Sequence, residues 1–68
     1  RGETMEAYQE RVVVEQGELD EKISKLDFFL HSDKVNELAE EDRELLYNQF
    51  RAMTSYLGIL SARIARFK

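Results

Sequence analysis

The chain contains no cysteine and no proline, one histidine and three glycines. Without cysteine it forms no disulfide, and a lone histidine leaves no structural zinc site, so the usual staples of small domains are missing. No apolar run approaches the roughly 18 residues that crossing a bilayer takes, and no signal-peptide pattern opens the chain, so neither a membrane span nor secretion is expected. With 68 residues there is room for one domain only, which excludes most enzymes and a large enclosed substrate pocket. A domain this small buries only about 60% of its unfolded surface. Self-association is therefore the remaining source of stability.

What is present is the balance of a folded helical chain, 43% hydrophobic and 35% charged. The net charge of −4 hides an asymmetry. Residues 1–42 carry five basic against thirteen acidic side chains, net −8, whereas residues 43–68 carry five basic against Glu44 alone, net +4. Such halves suit two antiparallel or self-assembling helices joined by salt bridges, and neither half is basic enough to serve as a nucleic-acid footprint.

Apolar periodicity sets the elements. Met5, Tyr8, Val12, Leu19, Ile23, Leu26 and Leu30 follow one line at 100° per residue, with Gln16 filling a gap, which predicts a helix over 5–30. The period is lost at His31-Ser32-Asp33-Lys34, where Ser32 and Asp33 offer side-chain acceptors, and Val35, Leu38 and Ala39 suggest a short helical turn. A second helix is expected from near residue 40, where Glu40, Glu41 and Asp42 suit the positive end of its dipole. Its stripe is Leu46, Phe50, Met53, Leu57, Leu60, Ile64 and Phe67, and Arg63, Arg66 and Lys68 complement its negative end. The expected fold is all-α: two long antiparallel helices, a helical hairpin with a short helical turn between, assembling as a homo-oligomeric helical bundle. Met5 reads as a natural start, making residues 1–4 an expression remnant and 5–68 one hairpin domain.

Closing a hairpin uses one stripe per helix, so apolar or small residues off those stripes carry information. Helix one leaves Val14, Gly17 and Phe28 on its back with Val13 and Phe29 flanking, and helix two leaves Leu45, Ala52, Tyr56 and Ile59 as a side stripe. Its far face is small, with Ser55, Gly58, Ala62 and Ala65. Scattered surface apolar residues are normal. An 8.0 kDa hairpin, however, needs buried area from elsewhere, and a second contact surface at Val14, Gly17, Phe28, Phe29, Leu45, Ala52, Ile59 and Ala62 supplies it.

Catalytic and metal chemistry find little support. A single imidazole at a helix end is ordinarily a dipole partner, Asp27 and His31 are too few ligands for a site, and the bundle di-iron pattern Glu-x-x-His fails because Phe28 stands three before His31. No enzyme, metal or cofactor is expected. The carboxylates of the first half form a solvated face, or alternatively a stripe that imitates a phosphate backbone and occludes a host enzyme or nuclease, with Glu18 and Glu21 central. The basic set Arg51, Arg63 and Arg66 serves the dipole and salt bridges, or else captures an anion: guanidinium groups bind phosphate bidentately, Tyr47 or Tyr56 stacks on a base, and Ser55 and Gly58 let a ligand near the backbone.

The run Met5-Glu6-Ala7-Tyr8-Gln9-Glu10-Arg11-Val12, continuing through Glu15, Glu18-Leu19, Lys22-Ile23 and Lys25-Leu26-Asp27-Phe28-Phe29, resembles a family of small bacteriophage accessory proteins of unassigned function. Glu41, Arg43, Leu45-Leu46, Gln49, Met53, Tyr56, Ile59-Leu60 and Arg63-Ile64-Ala65-Arg66-Phe67 extend the likeness to the closing helix. Arg43-Glu44-Leu45 and Ala62-Arg63-Ile64-Ala65-Arg66 bear a weaker resemblance to the hairpin domain of phage anti-CBASS and anti-Thoeris proteins, which oligomerise and sequester cyclic nucleotide immune signals. Tyr56-Leu57-Gly58-Ile59-Leu60 departs from the aromatic and small residues those sponges carry before the closing motif. The resemblances imply a non-catalytic phage anti-defence protein, cytoplasmic in the bacterial host, that sequesters a nucleotide signal; a host defence protein as target, or a purely structural oligomer, are the alternatives.

Overall fold

A computed structural model describes residues 6–67, and the expectations that fall on Met5, on the remnant at 1–4 and on Lys68 lie outside them. Helix α1 spans Ala7–Leu30, a 3-10 turn spans Asp33–Glu37, and α2 spans Glu40–Ala65. The helices pack antiparallel as the hairpin that the two stripes predict.

Local chemistry explains the boundaries. At the start of α1 the Glu6 amide donates to Gln9 Oε1 at 2.9 Å, satisfying one of the amides that a helix N-terminus leaves without a partner. That bond folds Gln9 inward, where it is buried, while Tyr8, expected in the core stripe, stands half-exposed. Tyr8 instead meets Phe67 edge to face, with centroids 6.0 Å apart, and closes the open end of the hairpin. The α1 C-terminus is capped by His31, whose amide donates to the carbonyls of Asp27 and Phe28 at 3.2 Å. His31 Nδ1 lies 2.8 Å from the Asp27 carbonyl, which can only accept, so this nitrogen carries the proton. Ser32 corrects the sequence reading: it caps no amide, and its hydroxyl donates to the Phe29 carbonyl at 2.7 Å. The turn accordingly begins at Asp33, two residues earlier than expected, and tucks Val35 into the closed end. Glu40, Glu41 and Asp42 occupy the first turn of α2 as the dipole favours, and Arg43 Nη1 donates to the Leu38 carbonyl at 3.1 Å, tying that turn to the link.

The core is a single seam. Val12, Leu30, Val35 and Leu60 are buried, Leu60 completely. Leu19, Ile23 and Leu26 on α1 and Leu46, Phe50, Met53, Leu57 and Ile64 on α2 are half-buried along the same line. Two side-chain hydrogen bonds flank the seam, one on each side: Gln16 Nε2 donates to Ser61 Oγ at 2.7 Å, and the Tyr56 hydroxyl donates to Glu15 Oε2 at 2.5 Å. The expected salt bridges between the halves do not form among the described residues. The ion pair there is Lys25–Glu21 at 4.0 Å, and His31 Nδ1 lies 3.4 Å from the Asp27 carboxylate, each contact spanning four residues on the α1 side. Among the described residues no helix is long and apolar enough to cross a membrane.

Candidate functional site on the outer surfaces of the second helix

The residues singled out for ligand binding all lie on α2 or its C-terminal cap, but they do not share one face. At 100° per residue Tyr56 and Arg63 fall on the flank that also carries Leu45, Ala52 and Ile59, whereas Tyr47 and Gly58 fall on the opposite flank, roughly 180° away. Arg51, Ser55, Ala62 and Arg66 run along the back between them. All seven are exposed. A single chain therefore brings together Arg51, Ser55 and Arg66 along one line and leaves Tyr56 and Arg63 apart from Tyr47.

Each aromatic and each arginine has a distinct environment. Tyr56 bonds Glu15 across the hairpin, and that hydrogen bond, helped by partial burial and the Glu15 charge, raises the phenol above its ordinary pKa of 10.0, with Arg63 nearby pulling in the opposite direction. Arg51 donates through Nη2 to Asn48 Oδ1 one turn earlier on the same helix. Among the described residues no carboxylate lies within ion-pair distance of Arg51, Arg63 or Arg66. A Cβ at Gly58 or at Gly17 would meet open space, so neither glycine is required by packing inside the hairpin.

Three depressions among the described residues lie along α1 and the seam, and one of them reaches Tyr56. One of about 490 Å³ is lined by Ala7, Glu10, Arg11, Val14, Glu15 and Glu18, one of about 260 Å³ by Gln16, Gly17, Asp20 and Leu57, and one of about 200 Å³ by Glu15, Glu18, Leu19, Lys22 and Tyr56. None of these three includes an arginine of α2. Of the residues read as a second contact surface, Val14 and Phe28 are exposed on the outer side of α1, Phe28 at 80%, while Phe29 is half-buried on the flank that carries Glu15. Among the described residues no group of three or more metal-ligating side chains gathers.

The Sequestin family matches residues 6–66. The chain belongs to the Sequestin family. A relative from Enterobacteria phage T4, an uncharacterized 7.5 kDa protein in the denB-rIIB intergenic region, is 45% identical over 64 residues, covering 94% of this chain and 100% of that one. The resemblance to small phage proteins read from Met5–Phe29 and Glu41–Phe67 is thereby borne out, and Sequestin membership spans both helices and the link. No solved structure matches the chain. Residues that sequence reasoning did not single out are Glu15 and Asn48, the hydrogen-bond partners of Tyr56 and Arg51; the signal for Asn48 is its i,i+3 spacing from Arg51.

Proposed function

We propose that the chain acts without catalysis, holding an anionic nucleotide signal between copies of itself. The observation that carries this reading is the electrostatic state of α2: Arg51, Arg63 and Arg66 are exposed and, among the described residues, none is neutralised by a carboxylate. Guanidinium groups in that condition bind phosphate oxygens bidentately, and Tyr47, exposed on the adjoining flank, offers a ring face to a base. Ser55, Gly58 and Ala62 between Arg51 and Arg66 leave space for a ligand near the backbone. The name of the Sequestin family accords with binding rather than turnover. Tyr56 and Arg63 occupy the other flank and lie apart from the Arg51–Arg66 line of their own chain.

Native mass spectrometry of the protein, alone and with a panel of cyclic di- and trinucleotides and ADP-ribose derivatives, tests the proposal. An oligomer that gains stoichiometric nucleotide mass supports it, and Arg51→Ala or Arg66→Ala abolishes that gain while the helical circular dichroism stays unchanged. An oligomer that gains no mass from any member of the panel overturns the nucleotide reading and moves the search to a protein target of the acidic α1 face.

A further inference from the structure

Two helices packed side by side bury one face each and leave their outer faces open. On α2 one of those open faces carries a pattern of its own.

Helix α2 carries two heptad seams offset by one residue. Leu46, Met53 and Leu60, with Phe50, Leu57 and Ile64 between them, face α1. Leu45, Ala52 and Ile59, with Gln49, Tyr56 and Arg63 four positions after each, form a second seam on the flank, and there Leu45 is 65% exposed, Ile59 57% and Tyr56 40%. A seam with this spacing is what a second helix reads, and nothing among the described residues covers it. We infer that this flank is the surface on which a second copy of the chain docks, its α2 antiparallel to the first across a two-fold axis at Ala52.

Three features select that register. A two-fold at Ala52 sets Leu45 of each copy against Ile59 of the other, so both exposed aliphatic side chains are covered in pairs. Ala52, the smallest side chain of the seam, meets its own copy at the axis, where the helices come closest. Arg63 falls opposite Glu41 of the second copy, so the acidic first turn of one α2 meets the basic end of the other twice over, and the helix dipoles oppose. Tyr56 is held by Glu15 and presents a fixed ring to Gln49 of the second copy. A parallel pairing would set Glu41 against Glu41 and Arg63 against Arg63, and the like charges disfavour it.

This inference rests on the oligomeric part of the proposed function and needs no ligand. The chain has no native cysteine, so Ala52→Cys gives a single thiol at the axis. Mild oxidation of Ala52→Cys is expected to give a covalent dimer within minutes, with Phe28→Cys, on the far side of α1, lagging at least about tenfold because its thiols meet only by random collision. Ile59→Asp, assayed ligand-free by sedimentation, is expected to run as a monomer with its helical circular dichroism retained. Arg63→Glu should weaken the dimer about tenfold, because two symmetry-related pairs turn repulsive, and adding Glu41→Arg should restore it. Equal cross-linking at Ala52 and Phe28, or an Ile59→Asp protein that still assembles, overturns the inference while leaving nucleotide binding intact. A dimer that cross-links at Ala52 yet gains no nucleotide mass upholds the inference and sinks the proposed function instead.

Discussion

The two seams of α2 differ by one residue in register and by everything in fate. Leu60 lies on the inner seam with no exposed surface, while its chain neighbour Ile59 lies on the flank seam at 57% exposure. Both are large aliphatic residues in the same helix turn, and both sit in a heptad repeat. The repeat alone thus announces a partner helix without saying whether that helix belongs to the same chain. What decides it is supply: α1 offers one apolar line, Val12, Leu19, Ile23, Leu26 and Leu30, which is used up by the inner seam. Toward the flank, α1 presents Glu15 and Lys22, and the side chain it sends across is a carboxylate accepting from Tyr56 rather than an apolar cover.

The largest way to break this comparison is at Leu60. Leu60→Ala is expected to cost about 2–5 kcal/mol, and a core of this size supplies only ~3–5 kcal/mol, so the isolated hairpin should lose its cooperative thermal transition by circular dichroism. Ile59→Ala, one residue away, should leave that transition within about 0.5 kcal/mol for the monomeric hairpin, since it is an exposed surface change. Equal losses at both positions would mean the inner and flank seams are not energetically distinct. Next in size is ligand capture. Arg66→Ala on the back of α2 should abolish nucleotide mass uptake in native mass spectrometry without moving the melting temperature by more than a degree or two, because Arg66 has no carboxylate partner among the described residues. A large thermal shift would instead make it a structural residue.

Smaller still is the effect of removing a glycine. An interior helical glycine costs ~1 kcal/mol relative to alanine, and a Cβ at Gly17 or Gly58 meets open space, so alanine at either position should stabilise the hairpin by up to that amount in urea denaturation. Gly17→Ala is expected to be silent otherwise. Gly58→Ala is expected to reduce nucleotide uptake, since Gly58 adjoins the arginine line, and the contrast between the two glycines separates helix propensity from close approach.

Much of the fold was legible because the period of an α-helix converts spacing directly into direction. The inner stripes of both helices, the end of α1 at Leu30 and the start of α2 at Glu40 all follow from apolar phase and from where it is lost. What was not legible depended on local polar geometry. Gln9 displaces Tyr8 from the core because it caps the Glu6 amide, and Ser32 turns its hydroxyl back to Phe29, so the link coils from Asp33. The expected charge pairing between halves fails for a related reason: both helices turn apolar lines inward, which leaves most carboxylates and arginines on opposite outer sides. For the candidate site, residue type grouped Arg51, Arg63, Arg66, Tyr47 and Tyr56 together, although the wheel separates Tyr56 and Arg63 from Tyr47. The Glu15–Tyr56 bond joins residues 41 apart in sequence, and no local spacing announces it.

That bond supplies the finest probe of the flank. Tyr56 is held above its ordinary pKa of 10.0 chiefly by donating its proton to Glu15, with Arg63 opposing. A phenol whose folded-state pKa is raised favours the folded state while it is protonated, so the contribution is complete below pH ~10 and disappears as pH rises through the raised value. The group is exposed, so the energetic effect is small and the spectroscopic one is the better measurement. Phenolate absorbance should show a step above the ordinary tyrosine range, and Tyr56→Phe should remove that late step. Glu15→Gln keeps an acceptor but removes the charge, so the late step should move back toward ordinary tyrosine without vanishing. If a second copy packs Gln49 against the Tyr56 ring, dilution below the dimer dissociation constant should shift the same step toward lower pH, because the ring regains water as the flank opens. A late step that ignores both Glu15→Gln and dilution would detach Tyr56 from the flank seam, and with it the idea that the ring is held in place for a second helix.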